Sequence, residues 1–173
     1  MDDSRIPRFL YGFLFLACLL MMAYYYPKMP QRMASHFAAD GSVNGWQSRD
    51  AFFVLMLLVT STSAIVGFLA PRQIAAKTNA RINLPHRDYW LAPERREQTM
   101  RFIAATMAWF AWGILFVLIS GTSLALRANL APDRRFNSAA MIGVLGVFLV
   151  CLLGSLLGFV RHFRNIPSCS APK

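Results

Sequence analysis

The stretch FIAATMAWFAWGILFVLISGTSLAL, residues 102–126, is 25 residues long and contains no Asp, Glu, Lys, Arg or His. A hydrocarbon layer about 30 Å thick takes roughly 20 helical residues to cross, so this run can span one with residues to spare. A helix of a soluble bundle carries a polar stripe along one side; this one has none. Three further runs share the pattern: residues 9–26 (18 residues), 51–70 (20) and 138–160 (23). Over 173 residues the chain is 56% hydrophobic, with a mean hydropathy of +0.41. These runs predict an all-α fold: an integral membrane four-helix bundle forming a single membrane domain over residues 1–173, with helices at about 8–26, 51–70, 93–126 and 138–160. Arg5 and Arg8 ahead of the first run are what a secretion signal would have. The run is longer than the usual signal core, however, and ends in Tyr24-Tyr25-Tyr26-Pro27 rather than at a small-residue cleavage site. It is expected to remain as the first helix.

Charge gives the orientation. Lys and Arg number 18 against 8 Asp and Glu, a formal net charge of +10. With four crossings, the N-terminus, the second connection and the tail share one face and hold twelve of these cations, against six on the other. The positive-inside rule then puts both termini and the basic loop 71–92 in the cytoplasm. Such a face favours anionic lipid headgroups, so the lipid bilayer is the first expected partner. No basic run is dense enough to favour nucleic acid.

The same topology places connection 27–50 outside. Residues 26–46 read YPKMPQRMASHFAADGSVNGW, with two prolines, a His-Phe pair, an Asp-Gly, an Asn-Gly and a Trp. Asp-Gly and Asn-Gly favour turns with positive φ, more local chemistry than a tether needs. A short ordered outer loop, a cap, is expected here. Ser48 or Asp50 is placed to cap the second helix. On the inner side, Ala92-Pro93-Glu94 suits a helix start, Glu97 and Arg101 form an i, i+4 pair, and Tyr89 and Trp90 mark an interface.

Within the bilayer, Thr60, Ser63 and Gly67 share a helix face suited to close packing. Gly143, Gly146, Gly154 and Gly158 approximate a stripe on the last helix, and Gly154 and Gly158 are spaced as GxxxG. Packing of this stripe against the preceding helix, near Trp109 and Trp112, is the expectation; a homodimer through the same stripe is the alternative.

Chemistry is sparse. The four runs contain no ionisable Asp, Glu, His, Lys or Arg, which argues against ion-coupled transport. His36 falls outside while His86 and His162 fall inside, so they share no site, and His36 with Asp40 falls short of a zinc ligand set. No cofactor or metal is expected. GxSxG, HExxH, CxxC and P-loop motifs are absent, and the expectation is that the protein is not an enzyme. Cys18, Cys151 and Cys169 make no disulfide framework.

Two motifs resemble a known family. The segment Pro30…His36-Phe37-Ala38-Ala39-Asp40-Gly41-Ser42-Val43-Asn44-Gly45-Trp46 resembles the P…HFNxxGxxDGW loop of a bacterial and archaeal membrane family of unknown function. That domain also forms the first part of SdpI-type immunity proteins. The segment INLPHRDYWLAPERR, residues 82–96, is similar to the N-[IL]-P-N-K-D-Y-W segment of relatives. The two motifs and their flanking helices cover roughly the first hundred residues. The chain departs from the pattern at Ala38, Asn44 and His86, and it is expected to lack the further C-terminal helices of SdpI-type proteins. The resemblance implies residence in the bacterial inner membrane. It also implies protection from a secreted toxin with a relay to a cytoplasmic repressor. The outer-loop candidates are then His36, Phe37, Asp40, Gly41, Asn44, Gly45 and Trp46. The cytoplasmic contact candidates are Asn83, Pro85, Asp88, Tyr89 and Trp90. Alternatives are an accessory subunit of a larger membrane complex or transporter, with a protein partner, and a permease along Thr60–Ser63.

Overall fold

The computed structural model describes residues 5–76 and 82–166, with side chains apart from those at positions 5, 7, 8, 64 and 66–76. Helix α1 is Arg5–Tyr25, followed by a single 3-10 turn, Tyr26–Lys28. Strands β1 (Arg32–Phe37) and β2 (Val43–Ser48) come next, then α2 (Arg49–Ala76), a single turn α3 (Arg87–Trp90), α4 (Pro93–Leu130) and α5 (Ser138–Arg164). Among the described residues, three helices are long and apolar enough to cross a membrane: Phe9–Lys28, Pro93–Leu130 and Ser138–Arg164.

The expected all-α class is corrected at the outer loop, which is a two-stranded antiparallel hairpin. Arg32 pairs with Ser48, Met33 with Gln47, Ala34 with Trp46, His36 with Gly45 and Phe37 with Val43. Ser35 on β1 and Asn44 on β2 are each skipped by this pairing, so the ladder bulges twice. A loop of residues 38–42 closes it. Strand β2 alternates half-buried and exposed residues along its length. A lone hairpin is marginal in water; this one is held by what it docks on.

The helix ends follow their local chemistry. The Ser48 hydroxyl accepts from the Ala51 amide at 3.2 Å, so Ser48 caps α2. Asp50 instead accepts from the Tyr26 hydroxyl at 2.8 Å. Helix α2 outruns its expected end near residue 70, passing through Pro71 to Ala76. Proline costs a helix one ladder hydrogen bond, and the helix continues without it. Pro93 sits in the first turn of α4 as expected, where its missing N–H would have no helical partner. Asn137 caps α5, accepting from the Ala140 amide at 2.9 Å.

Helix α4 is the centre of the molecule. It packs against α1 and α2 and, less extensively, α5, and also touches β1 and α3. Its buried Ala111 and Leu115 meet Tyr11 of α1. Across α1 and α2, the Tyr11 and Ser63 hydroxyls lie 2.8 Å apart, and Ser63 also donates to the Thr60 carbonyl. Thr60 is buried, so this hydroxyl patch joins helices. Gly67 lies among the residues whose side chains are outside the description.

The expected glycine-stripe contact is also corrected. A Cβ built on Gly143, Gly146, Gly154 or Gly158 would meet nothing within 4 Å. All four are exposed, and no residue of the most apolar window of α5 is buried. The close approach runs the other way: Phe148 of α5 presses on Gly113 of α4, 2.9 Å from where a Cβ would stand. Small residues on α4 accept an aromatic from α5. Trp109 is exposed and Trp112 stacks on Phe116 of its own helix. Cys18 is buried in the helix core and Cys151 is exposed; Cys169 lies outside the described residues.

Candidate functional site

The hairpin is fastened to α4 by one side chain. Asn129, buried in the last turn of α4, accepts from the Ala34 amide at 2.8 Å and donates to the Ala34 carbonyl at 2.9 Å. Its amide also donates to the Ala125 carbonyl at 2.9 Å, which fixes the rotamer from within its own helix. A carboxamide presents one acceptor and two donors, and here each is used. Asn129 thereby replaces a strand partner on the inner edge of β1. Met33 and Ala34 are fully buried beside it, so their backbone groups have no access to water and must be paired within the protein.

A second fastening comes from the α4–α5 connection. Phe136 stacks on Phe37, ring centroids 4.9 Å apart, and its amide donates to the Gly41 carbonyl at 2.9 Å. Gly41 has φ +82, and a Cβ there would run into the Phe136 carbonyl oxygen. The turn is completed by Asp40, whose Oδ1 accepts from the Ser42 hydroxyl at 2.7 Å and the Ser42 amide at 3.0 Å. These two bonds, the hydroxyl first, hold the Asp40 carboxyl below the usual carboxylate range, with Arg135 adding to the effect.

The remaining motif residues line the outward side. His36 is exposed and faces Gly45 across the ladder, so close that a Cβ on Gly45 would lie 2.8 Å from His36 Cβ. Asn44 is exposed on its bulge. Trp46 is 40% exposed, with the Arg32 guanidinium 5.5 Å and the Arg134 guanidinium 5.3 Å from its ring centroid. A cation near an indole face is attracted by the ring quadrupole, so this tryptophan is held in place while its ring remains available. Beside it, residues 35–39 and Phe136, Met141 and Ile142 line a shallow cavity of about 360 Å³. The arrangement offers an apolar, cationic and aromatic surface without a nucleophile–base pair. Among the described residues, no three His, Cys, Asp or Glu groups are clustered to hold a metal.

At the opposite end of α4 lies the second motif. Trp90 is turned inward: its indole N–H donates to the Phe163 carbonyl at 3.0 Å, and its own carbonyl accepts from the Thr99 hydroxyl at 2.8 Å. Leu84 is buried with Met100, Ile103 and Phe163. Tyr89 packs edge-on against Trp90, under the Arg95 guanidinium at 4.2 Å. Asn83, Pro85 and Asp88 are exposed. His86 has φ +50, left-handed backbone of the kind Asn tolerates well. His162 stacks on Phe102 at 4.2 Å and lies 4.9 Å from Trp90.

Asn129, Phe136 and His162 are the contributions that sequence reasoning missed. A signal existed for Asn129: an Asn just past the end of an apolar run, about two turns beyond its last glycine, has to find polar partners if buried. Comparison with known proteins adds one match. The family described as a domain of unknown function (DUF1648) matches residues 13–62, which take in most of α1, the whole hairpin and the first half of α2. No curated protein and no solved structure matches the chain.

Proposed function

We propose that this chain is a non-enzymatic, multi-pass protein of the bacterial inner membrane with an SdpI-like sensor or immunity role. In this reading α2 is a fourth crossing, both termini are cytoplasmic, and the hairpin faces outward. His36, Asn44 and Trp46 offer the surface that meets an external ligand. Phe37, Asp40, Gly41 and Gly45 hold its shape. The inner segment, with Asn83, Pro85 and Asp88 exposed, offers a contact for a cytoplasmic partner.

The observation that carries the reading is that one helix touches both motifs. Asn129 grips β1 and Thr99 holds Trp90, both from α4. Thirty residues separate them, roughly 45 Å of helix and the full thickness of a bilayer with its headgroups. A displacement of the hairpin therefore has a stiff path to the far side. Deleting the gene and exposing cells to secreted peptide toxins tests the role. Raised sensitivity, restored by the wild-type chain but not by Trp46→Ala, is the expected result. Unchanged sensitivity together with an unchanged transcriptome contradicts it.

A second reading, an accessory subunit of a larger membrane complex, is favoured by α5. Its exposed face carries Gly143, Gly146, Gly154 and Gly158 with nothing from the described residues over them. Purification in mild detergent distinguishes the two: a stoichiometric protein partner supports the subunit reading, and a lone chain supports the sensor.

A further inference from the structure

The end of α4 farthest from the hairpin holds a polar cavity of about 490 Å³. Its wall carries charges of both signs, Glu94, Arg95, Glu97 and Arg101 from the first turns of α4. Its floor is aromatic, with His162 lying against Phe102 and Trp90. The cavity sits where two apolar runs begin or end: α4 is free of charge from Phe102 to Leu126, and α5 is free of charge up to Val160. In a bilayer this is the level of the phospholipid headgroups.

The charges are not used up internally. Arg101 pairs with Glu97 at 2.5 Å, but both side chains are largely exposed, and such a pair contributes little and exchanges partners readily. Glu94 makes no ion pair among the described residues, and Arg95 is engaged with the Tyr89 ring and no carboxylate. A ligand matching this wall must itself carry both signs. An anionic headgroup would meet Glu94 and Glu97. A choline headgroup would bring a cation with no N–H to donate to them. A phosphodiester joined to a primary ammonium satisfies both halves: planar guanidinium forks suit phosphate oxygens, and an ammonium offers three donors to carboxylates.

We propose that this cavity is a headgroup site for phosphatidylethanolamine, with Arg95 and Arg101 on the phosphate and Glu94 and Glu97 on the ammonium. The proposal goes beyond the sensor reading and requires only that α4 and α5 cross the bilayer; it holds whichever face is inner. It also separates two effects. The general cationic excess draws anionic lipid to the surface through a long-range field, whereas this pocket selects a zwitterion by short contacts.

The test is lipid competition on the purified full chain, read by native mass spectrometry with equimolar phosphatidylethanolamine, phosphatidylcholine and phosphatidylglycerol. The expected result is one retained phosphatidylethanolamine, preferred by about ten-fold, the scale of one charge-assisted hydrogen bond. Glu94→Gln with Glu97→Gln should move the preference to phosphatidylglycerol. Arg95→Gln with Arg101→Gln should abolish retention. Equal retention of the three lipids by the wild-type chain overturns the proposal without recourse to any variant. A preference that survives both double substitutions in folded protein also overturns it. Glycerophosphoethanolamine or inorganic phosphate binding as tightly as the lipid would assign the pocket to a soluble phosphate instead, and would likewise overturn it. None of these outcomes bears on toxin sensitivity, so this site and the sensor role stand or fall separately.

Discussion

Asn129 is the residue on which the hairpin site depends. Replacing it with Ala leaves the buried Ala34 amide and carbonyl without partners, and unpaired buried polar groups cost roughly 1–3 kcal/mol each. Asn129→Ala should therefore destabilise the protein by about 2–6 kcal/mol in total. Thermal unfolding in mild detergent, combined with faster hydrogen exchange at the Ala34 amide, would show it. Asn129→Asp keeps the acceptor for the Ala34 amide and loses both donors, so its cost should be comparable and not smaller. Gly41 makes a second residue-scale demand. With φ +82 and the Phe136 carbonyl against it, Gly41→Ala is expected to cost on the order of 1–3 kcal/mol and to loosen the hairpin while leaving the helices intact. Asp40 adds a pH dependence. Its folded pKa is depressed, so its contribution is present above the ordinary carboxylate range and is lost as pH falls through the lowered value. Exchange at the Ser42 amide should rise on acidification across that window, and Asp40→Asn should remove the pH dependence.

At the scale of elements, the sequence disclosed helices well and the hairpin poorly, and the reason is physical. A span is specified by composition alone: 25 uncharged residues at 102–126 leave few other outcomes. A hairpin of 6-residue strands is specified by pairing and docking, and its docking partners, Asn129 and Phe136, lie some ninety residues away. The Asp-Gly turn was visible, and the φ > 0 it implied is found at Gly41; Asn44-Gly45, read as a second turn, instead forms a bulge in β2. The glycine stripe misled for a related reason. Small residues permit close approach but do not say which helix approaches, and here the cleft is at Gly113, filled by Phe148. Two substitutions separate these cases. Gly113→Leu must displace the Phe148 ring and should lower the melting temperature. Gly154→Leu meets nothing among the described residues and should leave the melting of the monomer unchanged. A large destabilisation by Gly154→Leu in monomeric protein would contradict the packing described.

For the molecule as a whole, the decisive feature is the central helix with a different motif fastened to each end. The hairpin end combines exposed His36, Asn44 and Trp46 with a rigid frame. The other end combines a half-buried Trp90 with exposed Asn83, Pro85 and Asp88. The residues of both motifs were legible in sequence, and the structure places them at opposite ends of α4. That α4 joins them was not, because it depends on Asn129 and Thr99 finding backbone partners in other elements. The measurement that tests the account most directly is the sidedness of the two motifs. In a chain with Cys18, Cys151 and Cys169 replaced by Ser, single cysteines are introduced as Asn44→Cys and Asn83→Cys and labelled with a membrane-impermeant maleimide. Labelling at position 44 in intact spheroplasts, and at position 83 only after permeabilisation, is the predicted result. Labelling of both from the same side would contradict a helix that carries one motif on each face of the membrane.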